Sequence, residues 1–113
     1  MERKIMDTKE LTHIGSFTVD SGQAVVGDPC YLTDWETWND NVEPFDNHTT
    51  KAGEYSYLGA CGVTITKGYG ELGYKKAVAF STGYGDGLYP VYAEFDENNR
   101  IAKIIIDFEG DID

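Results

Sequence analysis

Short runs in which apolar and polar residues alternate recur along this chain, separated by glycine, proline, aspartate and asparagine. A period of two is the signature of strands with two unlike faces, and those four residues supply the turns between them. His13-Ile-Gly-Ser-Phe-Thr-Val19 reads as a strand, Asp20-Ser-Gly22 as a tight turn, and Gln23 to Val26 as the returning strand of a hairpin. Gly27-Asp-Pro29 ends that strand, because proline has no N–H to give to a ladder. From Glu54 to Thr66, Tyr55, Tyr57, Gly59, Cys61, Val63 and Ile65 fall on one face of a further strand. The small residues at 59 to 62 suit a bend or the close approach of another layer. A loop around Lys67-Gly-Tyr-Gly70 leads to a strand from Lys75 to Thr82, and a loop over Gly83–Gly87 leads to another from Leu88 to Phe95. Asp96-Glu-Asn-Asn99 reads as a reverse turn with asparagine in the left-handed conformation. A last strand from Arg100 to Phe108 puts Ile104, Ile106 and Phe108 on one face.

One stretch departs from that period. Thr33-Asp-Trp-Glu-Thr-Trp-Asn-Asp-Asn41 pairs a capping threonine with Glu36 three residues on, a capping box, and sets Trp35 and Trp38 on one face. The spacing predicts a short helix pressed on the sheet by its tryptophans, followed by a polar loop to Gly53. The expected fold is therefore all-β: an antiparallel sandwich or partly open barrel of six to seven strands with one short helix. The final three strands are expected to form a meander, since their connections are short. At 113 residues the chain reads as a single domain, 1–113, with 1–10 a loosely held arm and 109–113 an acidic tail.

Composition supports a packed chain, with 41% hydrophobic residues, 13% aromatics, eight tyrosines and thirteen glycines. No apolar run approaches the roughly 20 residues that span a bilayer, and Met1–Glu10 lacks the apolar core of a signal peptide. A cytoplasmic location is expected. Cys30 and Cys61 are too few for a disulfide framework and read as small buried thiols. A catalytic Cys30 would need a histidine, and neither His13 nor His48 is placed by sequence to serve it.

Charge narrows the partners. Twenty acids against nine bases give a net −11. No lysine or arginine occurs between Lys9 and Lys51, where Glu10, Asp20, Asp28, Asp34, Glu36, Asp40, Glu43 and Asp46 all fall. Such a surface repels phosphates, so direct nucleic-acid binding is not expected; it could attract a basic protein surface or divalent cations, and a plain solubilising role is preferred to either. No cofactor and no metal site is expected: there is no CxxC spacing, no EF-hand run, and Gly83-Tyr-Gly-Asp-Gly87 lacks the lysine of a phosphate loop.

Two punctuated segments hold the candidate chemistry. Ser21–Tyr31 and Ser81–Tyr92 each join a glycine-rich turn, an acid and a proline to a hydrophobic strand. Gly85-Asp-Gly-Leu-Tyr-Pro-Val-Tyr92, then Ile104-Ile-Ile-Asp-Phe108, resembles the C-terminal signature of a bacterial and phage domain family of unknown function. Asp20-Ser-Gly-Gln23 and Gly27-Asp-Pro29 resemble the N-terminal half of the same family, and Leu32 to Gly53 resembles nothing recognised. The resemblance supports the fold and brings no activity with it.

If the two segments meet, Asp28 and Asp86 would line one pocket with Tyr31, Tyr84, Tyr89 and Tyr92. Ring faces around a few carboxylates suit an amine, a sugar or a nucleoside. The competing reading is that both aspartates accept nearby backbone N–H groups and fix their turns. Asp107, set in an apolar strand, is either a functional acid or a solvent-facing or structurally bonded one, and the latter is preferred. With no catalytic constellation in view, the leading functional expectation is a non-catalytic binding module for a small ligand or a host protein, with a phage-encoded accessory protein as one setting. The alternatives are a small hydrolase using Asp28 and Asp86, and an acidic mimic of nucleic acid that blocks a basic protein. Oligomeric state is left open.

Overall fold

The structure, a computed structural model, describes residues 10–36 and 51–112. Its elements are β1 (Thr12–Val19), β2 (Gln23–Gly27), a 3₁₀ helix (Pro29–Asp34), α1 (Tyr57–Thr66), β3 (Tyr69–Leu72), β4 (Ala77–Ser81), β5 (Gly87–Phe95) and β6 (Ile101–Ile106). The fold is β-dominated, as the alternation implies: the described residues form six strands in two three-stranded antiparallel sheets, neither closed into a barrel. The chain divides into two compact units, one continuous from Asp20 to Gly85 and the other made of the flanking segments up to Val19 and from Asp86 onward.

In the flanking unit β5 is the central strand, between β1 and β6. Its register runs from Thr12↔Ala93 to Val19↔Gly87 on one side and from Val91↔Ile106 to Phe95↔Ile101 on the other. Proline in a central strand needs an explanation, and Pro90 has one. Its carbonyl accepts from Asp107 N (3.3 Å), so its missing N–H lies on the β6 side, one step beyond the last paired residue, Ile106. Val19, Tyr89, Tyr92 and Ala93 are buried. The β5–β6 turn closes through Asp96, with Asn99 left-handed at φ 68°, as the sequence suggests.

In the continuous unit β4 is central, flanked by β2 and β3, and α1 lies on the sheet. Tyr55, Ala60, Leu72, Ala77 and Ala79 form the core, with Trp35 and Val63 packed on it. Small residues set the spacing of the layers. A Cβ on Gly70 would stand 2.9 Å from Val63 Cβ, so helix and strand approach more closely than side chains at both positions permit.

The structure corrects four expectations. Residues 57–66 are helical, not a strand: Ser56 is the N-cap, accepting from Gly59 N at 2.9 Å, and Gly68 at φ 90° follows the last turn. The apparent alternation there came from small residues that are buried all round, Gly59, Ala60 and Gly62 included. Second, β1 and β2 are not a hairpin; β1 pairs with β5 and β2 with β4. β4 accordingly sits in a different sheet from β5 and β6, so only those last two form the expected meander. Third, Tyr69–Leu72 is a strand where a loop was expected. Fourth, Thr33 does not cap a helix: the 3₁₀ helix ends at Asp34 and Trp35 is extended. The remainder of that expected helix, with Trp38, lies outside the described residues.

Candidate functional site

The Asp-Pro step after β2 builds the site. Asp28 is the N-cap of the 3₁₀ helix, its Oδ1 accepting from Cys30 N at 2.9 Å, and Pro29 takes the first helical position, where a missing N–H costs nothing. One turn later Trp35 N donates to Leu32 O (3.2 Å) and the chain straightens. Glu36 then pairs in parallel with Ser56, and Glu36 N donates to Tyr55 O at 3.0 Å. That bridge brings Trp35 edge-on to Tyr55, with ring centroids 4.9 Å apart at 80°. Tyr55 is itself set in the core, where Gly73 makes room for it; a Cβ there would lie 2.8 Å from Tyr55 Cβ.

These pieces line an open cavity of about 420 Å³ formed by Val25, Gly27, Asp28, Pro29, Leu32, Trp35 and Tyr55. Gly27 is required twice. A Cβ there would meet the Lys76 carbonyl oxygen at 2.9 Å, and its bare backbone forms part of the cavity wall. Among the described lining residues Asp28 is the one carboxylate; Tyr55 contributes a ring and a phenol, and the remaining side chains are apolar or indole.

Of the residues singled out in the sequence, Asp28 lines this cavity and also fixes its turn by accepting from Cys30 N. Tyr31 stands on the outer side of the 3₁₀ helix, 41% exposed, with the Lys76 ammonium 5.7 Å from its ring centroid. Tyr84 is exposed in the loop after β4. Asp28, Tyr31 and Tyr84 belong to the continuous unit, whereas Asp86, Tyr89 and Tyr92 belong to the flanking one. Asp86 is exposed just before β5. Tyr89 is buried edge-on to Phe108, with centroids 5.0 Å apart. Tyr92 is buried beside His13 and donates its hydroxyl to Ile112 O at 3.2 Å.

Sequence reasoning missed Val25, Leu32 and Tyr55 as site residues and read Trp35 only as a packing residue. The local signal was a tryptophan just past an Asp-Pro turn; its partner, twenty residues on, is set by tertiary pairing. The thiols divide: Cys61 is buried as expected, but Cys30 is exposed because the 3₁₀ helix buries none of its residues. Cys61 Sγ accepts from Gln23 Nε2 (3.3 Å), and Gln23 Oε1 accepts from Thr64 Oγ1 (2.9 Å). A side-chain hydrogen bond to Cys61 first, and burial second, hold the Tyr57 phenol above the ordinary tyrosine value. Asp107 is structurally bonded: 6% exposed, it accepts from Glu109 N (3.0 Å), Gly110 N (2.9 Å) and Ile112 N (2.8 Å). Among the described residues no group of three or more His, Cys, Asp or Glu is arranged to hold a metal ion. No described helix is long and apolar enough to cross a membrane.

A β-dominated chain with an apolar, aromatic-walled cavity behind an Asp-Pro turn is thus defined. Residues 3–106 match a family model described as a protein of unknown function (DUF4241), and the chain belongs to that family. No curated protein and no solved structure matches the chain.

Proposed function

We propose that this chain is a non-catalytic binding module that takes a small ligand in the cavity behind Asp28. The cavity itself carries the reading. Its volume of about 420 Å³ falls within the range of small-molecule sites, and its walls are mostly apolar with one charged group, the usual make-up of such sites. Its walls are also built to stay open. The Glu36–Ser56 bridge, the Trp35–Tyr55 contact and the bare Gly27 hold the lining in place without a ligand to organise it.

A metabolite and fragment library screened against the full chain by ligand-observed NMR tests the reading. Binders are expected whose signals are lost in Trp35→Ala and retained in Tyr84→Ala, a substitution in an exposed loop away from the lining. A library with no binder sensitive to Trp35→Ala would remove the proposal.

A further inference from the structure

We infer that the cavity selects an organic ammonium cation: an amine, primary to quaternary, on an aromatic or branched aliphatic body. The inference rests on the small-ligand reading and narrows it to a chemical class. Three ligand classes suit carboxylates among rings, namely amines, sugars and nucleosides. The lining discriminates among them. A sugar presents many hydroxyls and a nucleoside both donors and acceptors, and each such group left unmatched in an apolar wall costs its desolvation. Val25, Pro29, Leu32 and Trp35 offer no acceptor in their side chains, so a polyhydroxylated ligand would leave most of its groups unpaired. An ammonium on an apolar body needs little beyond one carboxylate and ring faces, which Asp28, Trp35 and Tyr55 provide.

Charge points the same way. Oδ1 of Asp28 is committed to Cys30 N, and no lysine or arginine among the described residues forms an ion pair with the carboxylate. Lys76, the cation of the β3–β4 turn, is held over the Tyr31 ring and is not part of the lining. An anionic ligand would meet Asp28 and a chain of net charge −11, and the described lining residues include no cation to receive it.

The test compares three probes of similar body and different head on the full chain at neutral pH: phenethylamine, phenylethanol and phenylpropionate. Phenethylamine is expected to bind at least about tenfold more tightly than phenylethanol, as a charge-assisted contact implies, with phenylpropionate weakest. Asp28→Asn should erase the preference for the amine and leave phenylethanol unchanged; asparagine caps a helix as well as aspartate, so the turn survives. Trp35→Ala should weaken the amine and the alcohol together. Equal affinity for amine and alcohol, or an amine preference that persists in Asp28→Asn, would overturn the inference while the alcohol's binding left the small-ligand reading intact. Failure of all three probes to bind would overturn it too, and the library screen would then decide the broader reading alone.

Discussion

Single side chains in this protein do their structural work through backbone groups, and Asp107 is the clearest instance. Its two carboxylate oxygens receive three consecutive-turn N–H groups and tie the chain end to the close of β6. Asp107→Ala should cost about 1–3 kcal/mol, because it removes the acceptor of three backbone N–H groups. Urea unfolding would measure the loss, and hydrogen exchange should show the amides of Glu109, Gly110 and Ile112 unprotected while those of β5 remain slow. Asp107→Asn, which keeps one acceptor oxygen, should fall between. Tyr57 gives a second residue-scale expectation. Its hydroxyl is raised by the Cys61 hydrogen bond first and by burial second, so Cys61→Ala should bring its titration back toward the ordinary tyrosine value. The sign follows: this interaction stabilises the fold at all pH below the unfolded-state value and is lost as pH rises through the higher folded one. Ultraviolet titration of the phenol checks both the direction and its reversal.

At the scale of elements, the helix α1 explains both the success and the failure of sequence reasoning. Period-two patterns marked β1, β2, β4, β5 and β6, and in β4 burial itself alternates from Ala77 to Ala79. The stretch from Leu58 to Gly62 shows no such contrast: all five residues are buried, and a residue set buried all round has no legible period. What marked the helix was the Ser56 cap, which a reading of alternation passes over. Gly59 holds the cap against the preceding turn, since a Cβ there would overlap the Glu54 carbonyl oxygen. Gly59→Ala should therefore destabilise by about 1–3 kcal/mol despite alanine's better helix propensity, and Gly62→Ala serves as the comparison in the same thermal or urea unfolding series. Leu72, fully buried beneath the helix, should cost about 2–5 kcal/mol as Leu72→Ala. The β5–β6 turn has its own pH signature. N–H groups of Arg100 and Asn98 hold the Asp96 carboxyl below the ordinary aspartate value, with the Arg100 side chain adding to them. A lowered folded value means the contribution is complete above the unfolded-state value and disappears as pH falls through the folded one. Carboxyl NMR should place the Asp96 midpoint below that of a model aspartate.

For the whole molecule, the site was half legible. Asp28 stood out because Asp-Pro after a strand has a local meaning that any fold must honour. Trp35 and Tyr55 did not, because their contact depends on a parallel bridge between Glu36 and Ser56 that no local pattern announces. The pairing of β1 with β5 was invisible for the same reason: Thr12 and Ala93 are partners only because a long intervening stretch returns the chain to where it left. That return has a consequence for how the protein can vary. Val19 and Gly87 face each other at the end of one ladder, and Thr82 N donates to Gly22 O at 3.0 Å where the other begins. The segment from Asp20 to Gly85 is thus an insertion in the sequence between two strands that pair with each other. Residues 20–85 expressed alone should give a dispersed amide spectrum that overlays the full chain's away from the two cut ends; a collapsed spectrum would contradict it. An insertion between two paired strands can be exchanged or resized while the β1–β5 register, fixed by its own ladder, is kept.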